Sequence, residues 1–269
     1  MNPPEQAAAA YPARDDYTVF CEGIRALCKI DLLQYKRGQM ERRIRSFAER
    51  RGTTDLEAYL RELKGDPREL DAFLDRVTIN VSQLWRNPVQ WEVLAAHVLP
   101  ELAEAGRIRA WSAGCSYGAE AYTVLAVAAE TVPGVPIDMR GTDIDKRMVD
   151  RAREGCYSAD DARDAPARSL ERHFLPTATG WQAKPALRAA AKFEVGDLLR
   201  MRVAASAFDL ILCRNTVIYF TEDVRDALHA RLADALRPGG YLIIGSTERI
   251  GDPRAKGLEL LYPFTYRKS

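Results

Sequence analysis

The chain has 269 residues, with 39 Lys plus Arg against 38 Asp plus Glu, a formal net charge of +1, and 47% apolar residues. That length admits one large domain, or a catalytic domain with a smaller companion, and the apolar share is enough for a sizeable core. The balanced charge argues against a dedicated nucleic-acid binder, which needs a basic surplus to neutralise phosphates.

Residues 1–16, rich in Ala and Pro, lack a basic start followed by an apolar stretch, so they read as a flexible tail rather than a secretory signal. No apolar run is long enough to span a bilayer. The five cysteines, Cys21, Cys28, Cys115, Cys156 and Cys213, show no zinc or disulfide spacing, and free thiols fit a cytoplasmic protein. Residues 17–85 read as a helical domain. Met40, Ile44, Phe47 and Ala48 fall at helical spacing and predict one buried stripe. Thr53-Thr54-Asp55 suits a helix cap, and Pro67 suits the first turn of the helix that follows.

After Pro88 the pattern changes, and residues 86–269 read as a second domain. A helix over 89–104 leads to a strand over 107–111, a helix over 119–130, a strand over 137–141 and a helix over 146–153. Phe208-Asp209-Leu210-Ile211-Leu212-Cys213 predicts a buried strand. A helix over 221–236 ends at the turn Arg237-Pro238-Gly239-Gly240, and a strand covers 241–245. Alternating strands and helices imply an α/β fold with a mostly parallel sheet. Residues 258–267 suit a closing pair of strands, and 157–195 break the rhythm as a small antiparallel insertion or an irregular loop.

Four segments carry chemistry. In Ser112-Ala113-Gly114-Cys115-Ser116-Tyr117-Gly118-Ala119-Glu120 a strand enters a glycine turn and then a helix. Glycines at 114 and 118 would admit a ligand close to the backbone. A dinucleotide site would space them Gly-x-Gly-x-x-Gly. Here the spacing is Gly-x-x-x-Gly, and Glu120 follows; an acid there repels a phosphate and suits a cationic amino group or sulfonium. Taken alone, the loop is equally a tight strand-to-helix turn. Asp143, in Gly141-Thr142-Asp143-Ile144-Asp145, follows Gly118 at close to the ~20-residue spacing at which an acid meets ribose hydroxyls. Asp143 is expected to bind and Asp145 to cap the next helix. Cys213-Arg214-Asn215-Thr216-Val217-Ile218-Tyr219-Phe220 lies at the carboxyl end of a strand, where α/β folds bind ligands. Asn80-Val81-Ser82-Gln83-Leu84-Trp85-Arg86-Asn87-Pro88 joins the two regions. His97, His173 and His229 have no metal-ligand spacing, and no metal is implied.

Together these segments resemble the CheR family of S-adenosylmethionine-dependent chemotaxis receptor methyltransferases over residues 17–269. The family pattern is Asn-x-Thr-x-Phe-Phe-Arg, then Ala-Gly-Cys-Ser-x-Gly-Glu-Glu-Pro-Tyr-Ser, then Asp-Ile-Asp, then Phe-Cys-Arg-Asn-x-x-Ile-Tyr-Phe, and the last is nearly intact here. The resemblance implies a Rossmann-like methyltransferase fold behind an all-helical N-terminal domain. It places Asn80, Ser82, Arg86, Gly114, Glu120, Asp143, Asp197, Leu198, Arg214 and Asn215 around S-adenosylmethionine, which leaves as S-adenosylhomocysteine. Arg86 and Tyr219 are the expected catalytic pair. The departures are Ser82 for Thr, Leu84-Trp85 for Phe-Phe, Ala119 for the first Glu, and Ala121-Tyr122-Thr123 for Pro-Tyr-Ser.

The implied substrate is a glutamate carboxylate on the cytoplasmic helices of chemoreceptors. Arg42, Arg43 and Arg45 lie in the Arg-rich stretch 36–51, which is either a solvated helix face or a surface for an acidic partner helix; the resemblance favours docking. A receptor tail peptide would dock on 157–195. The alternatives are a small-molecule methyltransferase on the same fold, and a weakly active cofactor-binding signalling module.

Overall fold

The computed structural model describes residues 15–77 and 82–269. The chain divides into two compact units, Met1–Val77 and Thr78–Ser269. Leu84 and Trp85, grouped above with the helical region, pack into the second unit's core.

The first unit holds four α-helices among its described residues: α1 (Asp16–Cys28), α2 (Arg37–Arg50), α3 (Leu56–Gly65) and α4 (Pro67–Val77). Asp15 starts α1 by accepting from the Thr18 amide, and Asp55 starts α3 by accepting from the Glu57 amide, each at 2.9 Å. Such caps satisfy amide donors that a helix's first turn leaves open. An aromatic cluster fills the interior: Phe20 stacks on Tyr59 at 6.0 Å and meets Phe73 edge-on at 5.7 Å. Gly23 is needed for the close approach of α1 to α3, since a Cβ there would lie 2.2 Å from Leu60 Cδ2. Met40, Ile44 and Ala48 are buried as the spacing predicts, whereas Phe47 is only partly covered. Along α2, Arg42 and Arg50 are exposed, but Arg43 and Arg45 are half-buried. Arg45 forks onto Asp16 at 2.8 and 3.0 Å and also reaches Glu41 at 2.8 Å, so it is less available than its position in the pattern suggests. Arg43 donates to the Val77 carbonyl at 3.3 Å.

The second unit opens with α5 (Pro88–Val93), a wider π turn over Leu94–Val98, and α6 (Leu99–Ala103). The Leu99 amide reaches back to the Leu94 carbonyl, and Pro100, with no amide hydrogen, cannot restore the normal ladder there. There follow β1 (Ile108–Ala113), α7 (Ala119–Thr131), β2 (Ile137–Asp143), α8 (Lys146–Glu154), β3 (Cys156–Ser158), α9 (Ala167–His173), β4 (Phe174–Thr177), β5 (Gly180–Ala183), α10 (Pro185–Ala190) and β6 (Ala191–Val195). The last elements are β7 (Phe208–Cys213), α11 (Glu222–Ala235), β8 (Leu236–Ile244), β9 (Leu258–Tyr262) and β10 (Thr265–Lys268).

The main sheet runs β6-β2-β1-β7-β8-β10-β9, and β3-β5-β4 form a separate three-stranded sheet. All pairs from β6 to β8 are parallel, and β10 and β9 close the sheet as an antiparallel pair. This is the expected α/β architecture with its small antiparallel insertion. One correction concerns 192–195: these residues belong to β6, paired with β2 in the main sheet, so the small sheet ends at Ala183. The Arg-Pro-Gly-Gly turn is also drawn into β8, and the pairing of β8 with β7 shifts register there, from Leu236 opposite Phe208 to Tyr241 opposite Leu210.

At the amino ends of the central strands, Asp209 is 4% exposed and ties three strands together. It accepts from the Arg109 amide at 2.7 Å, from Arg109 Nε and Nη2 at 3.0 Å, and from Arg237 Nε. Burial opposes its ionisation, but the Arg109 and Arg237 bonds prevail and hold its pKa below the ordinary value. Asp209→Ala should destabilise the protein by about 1–3 kcal/mol at neutral pH, toward the low end because both arginines reach solvent. A depressed acid stabilises fully above its unfolded pKa of ~3.9 and loses that contribution as pH falls through the native value. Urea titrations should therefore show a gap between the two proteins at pH 7 that narrows below about pH 4.

Candidate functional site

The strand order reverses between β1 and β7, and the loops leaving their carboxyl ends diverge there. Such a switch point forms a crevice suited to a ligand. The loop after β1 has three left-handed residues: Gly114 (φ 81°), Ser116 (φ 48°) and Gly118 (φ 82°). The amides of Gly114 and Cys115 both donate to the Thr142 carbonyl, at 2.9 and 3.0 Å, which pins the loop to β2. Protein side chains occupy the space that a Cβ would need at both glycines. A Cβ on Gly114 would sit 2.4 Å from Thr216 Oγ1, and one on Gly118 would sit 2.9 Å from Ala152 Cβ.

Asp143 ends β2 at 9% exposure. Its Oδ2 accepts from the Ser116 amide at 2.7 Å and its Oδ1 from the Asp145 amide at 3.0 Å. Burial pushes its pKa up and these amides oppose the rise. Each oxygen has acceptor capacity beyond the single bond named here. Asp145 caps α8, accepting from the Arg147 amide at 3.0 Å. The Gly196 amide donates to the Asp143 carbonyl at 2.9 Å, so the turn after β6 brings Asp197 and Leu198 beside the same strand end. Asp197 accepts from the Leu199 amide at 2.8 Å, and the buried Leu198 gives its carbonyl to Arg231 at 2.7 Å.

Arg214 follows β7 and is fully enclosed. Its Nε donates to Gln90 Oε1 at 2.8 Å, its Nη1 to Glu120 Oε2 at 3.3 Å, and its Nη2 to the Arg86 carbonyl at 2.6 Å and Asn87 Oδ1 at 3.3 Å. The guanidinium also lies over the Trp91 ring at 4.7 Å. Glu120, in the first turn of α7, accepts a second bond from Ser112 Oγ at 2.6 Å. Burial raises the Glu120 pKa; Arg214, the Ser112 bond and the Arg86 charge counter it. Asn215 is left-handed (φ 58°), and its amide donates to Glu248 Oε2 at 3.1 Å. Glu248 also accepts from the Gly245 amide at 2.6 Å.

Arg86 is half-buried, and its carbonyl accepts from both Trp91 and Arg214. Tyr219 sits half-buried on the short helical turn Val217–Tyr219. The Ser82 carbonyl lies against the Tyr117 hydroxyl. Asn80 lies outside the described residues. The structure thus gathers Arg86, Gly114, Glu120, Asp143, Asp197, Leu198, Arg214 and Asn215 around the carboxyl ends of the strands, with Glu120 in the first turn of α7, Asp143 at the end of β2 and the others on connecting segments. Sequence reasoning missed Ser112, Gln90 and Glu248. Gln90 looks like any polar helix position, but Glu248, polar and close after a very apolar strand, carried a readable signal. The departures Leu84, Trp85, Ala119 and Ala121 are all buried in the core, so they change packing there. Burial lifts the thiols of Cys115 and Cys213 well above their usual pKa, which makes them inert packing groups. His173 pairs with Glu130 at 3.0 Å, and His97 stacks on Tyr262 at 4.6 Å. Among the described residues no group of three or more His, Cys, Asp or Glu could hold a metal ion, and no helix is long and apolar enough to cross a membrane.

A parallel sheet closed by an antiparallel pair, with a glycine loop and two buried acids at its switch point, is a Rossmann-like methyltransferase domain. Residues 80–259 match the family described as CheR methyltransferase, SAM binding domain, and residues 15–78 match CheR methyltransferase, all-alpha domain. The chain belongs to the CheR methyltransferase family. It is 35% identical over 256 residues to a chemotaxis protein methyltransferase of Listeria innocua, covering 94% of this chain and 97% of that one. It is 30% identical over 254 residues to chemotaxis protein methyltransferase 1 of Pseudomonas aeruginosa, covering 89% and 92%.

The site's own chemistry fits S-adenosylmethionine. Asp143 has acceptor capacity of the kind that ribose hydroxyls would meet. Glu120 with two guanidinium groups nearby suits an amino-acid terminus carrying both an ammonium and a carboxylate. Ser116 Oγ is buried with no protein partner.

Glu120→Ala should leave Arg214 enclosed without its carboxylate. Such losses cost about 3–5 kcal/mol, and the low end is expected because Gln90, Asn87 and the Arg86 carbonyl remain. Chemical denaturation of both proteins at pH 7 measures it.

Proposed function

We propose that this S-adenosylmethionine-dependent methyltransferase esterifies glutamate side chains of chemoreceptor proteins, the reaction of chemotaxis adaptation. The observation that carries the reading is the juxtaposition of Glu120, Asp143 and the nearly intact Cys213–Phe220 segment around one crevice. When bound, the cofactor supplies an electrophilic methyl group on a sulfonium. A glutamate carboxylate, with reference pKa ~4.3, is already ionised at neutral pH, so no residue need remove a proton. The protein's task is orientation and exclusion of water. Arg86 suits a carboxylate because its planar fork can make two bonds, and Tyr219 shapes the approach to the methyl group. Arg42, exposed on α2, offers charge to an acidic receptor helix, with Arg43 and Arg45 contributing field rather than free donors. The small antiparallel sheet provides strand edges on which a receptor tail peptide would dock.

Incubation with tritiated-methyl cofactor and receptor cytoplasmic fragments tests this. Base-labile label on the receptor is expected; absent or base-stable label would overturn the glutamate assignment.

Two variants separate binding from turnover. Asp143→Ala should weaken S-adenosylhomocysteine about tenfold to a hundredfold by calorimetry, the scale of about 1–3 kcal/mol for an unmet buried polar group. Arg86→Ala should lower kcat far more than cofactor affinity. Equal losses in both would return Arg86 to the cofactor site alone.

A further inference from the structure

The three-stranded sheet is joined to the crevice by a specific contact set, and Asp161 stands at its centre. This residue follows β3 in the insertion and is largely enclosed, with 16% of its side chain exposed. Its Oδ2 accepts from Arg151 Nη2 at 2.8 Å and from the Ser158 amide at 2.9 Å. Its Oδ1 accepts from the Tyr117 hydroxyl at 2.8 Å. Tyr117 lies in the glycine loop after β1, and the same hydroxyl lies against the Ser82 carbonyl, so this one hydroxyl stands between the insertion and the segment leading to Arg86. A second link runs through the backbone, where the Leu84 amide donates to the Asp161 carbonyl at 2.9 Å. Two further bonds flank it: Arg163 Nη2 donates to Gln83 Oε1 at 2.9 Å, and Gln83 Nε2 donates to Asp164. Arg151 covers the Tyr117 ring at 3.9 Å, and Tyr157 of β3 donates to the Tyr117 carbonyl at 3.2 Å.

Residues 83 and 84 are therefore hydrogen-bonded directly to the insertion, and residue 82 is linked to it through Tyr117, immediately before Trp85 and Arg86. A docking module attached only for tethering would not need them. The contacts fix a segment whose next residue, Trp85, is left-handed (φ 54°) and whose carbonyls at 82 and 86 already serve Tyr117 and Arg214.

We propose that Asp161 is a positioning residue: through Tyr117 and Leu84 it holds residues 82–86 in place, so that the insertion is part of the active site's frame. The inference rests on the methyl-transfer reading for its consequence on turnover, but not for its consequence on structure.

The test uses the full chain with Asp161→Asn, which keeps an acceptor oxygen but loses the charge facing Arg151, and Tyr117→Phe, which keeps the ring and removes the bridging hydroxyl. Amide hydrogen exchange is read first. Exchange across 82–86 should accelerate about tenfold in both variants, the scale of one lost charge-assisted hydrogen bond, while β7 and β8 keep their protection. Receptor methylation well below the unfolding temperature is read second. A fall in kcat of similar size is expected, with the Michaelis constant for S-adenosylmethionine little changed and the double variant no worse than either single one, as coupled groups behave. Unchanged exchange across 82–86 in both folded variants would overturn the proposal, whatever the enzyme's activity. So would accelerated exchange with wild-type kcat, which would make the contact structural only. If the wild-type protein methylates no receptor while exchange responds as expected, the glutamate reading fails and the positioning of 82–86 stands.

Discussion

The buried pair of Arg214 and Glu120 is the constraint on which the site is arranged. Taking both charges out of water is costly, and at 3.3 Å their mutual attraction alone would not offset it. The remaining donors and acceptors must be met, and they are met by four groups from three places: Ser112 on β1, Gln90 on α5, and the Arg86 carbonyl and Asn87 side chain ahead of that helix. Gln90 itself needs its amide satisfied and finds the Ile244 carbonyl on β8 at 2.8 Å. One ion pair thus obliges β1, β7, β8, α5 and α7 to meet in a single arrangement. It also sets the electrostatics of the crevice. Glu120 is surrounded by the Arg214 and Arg86 charges, whereas Asp143 is answered chiefly by amide dipoles. The two acids, alike in sequence, have different surroundings and suit different parts of one ligand.

Much of this was legible in the sequence for physical reasons. Buried parallel strands read as apolar runs, which is why 208–213 was placed to the residue, and Gly, Pro and Asp mark the element ends. The acids at 120 and 143 were visible because a carboxylate at the end of an apolar strand or the start of an apolar helix has few structural reasons to be there. What was not legible was partnership. Periodicity says that 192–195 can be a strand but not which sheet it joins. Gly114 and Gly118 stand where a Cβ would meet Thr216, Ala152 and Phe193, residues distant in sequence that the glycine spacing does not name. Gln90 and Ser112 become meaningful only once Arg214 is enclosed, and an arginine in a loop does not announce that it will be. The Arg-rich stretch likewise showed its charge, but not that Arg45 would spend its fork on Asp16.

The loops show how such a frame fixes geometry at its edge. Of the non-glycine residues with left-handed backbone, four lie around the crevice: Trp85 (φ 54°), Asn87 (φ 60°), Ser116 (φ 48°) and Asn215 (φ 58°). Each such residue costs of order 1–3 kcal/mol and persists only where its surroundings over-determine it. Here each is held by a named buried group. The Trp85 amide donates to Thr123 Oγ1 at 3.1 Å, the Asn87 side chain accepts from Arg214, and the Ser116 and Asn215 amides donate to the carboxylates of Asp143 and Glu248. Three of these four anchors are carboxylates or the arginine paired with one, groups able to hold an amide or a side chain more strongly than neutral partners. The strained positions are therefore consequences of where buried charge was placed. A reaction that needs alignment more than proton transfer gains from that, because the loops that would orient its partners are set before either arrives.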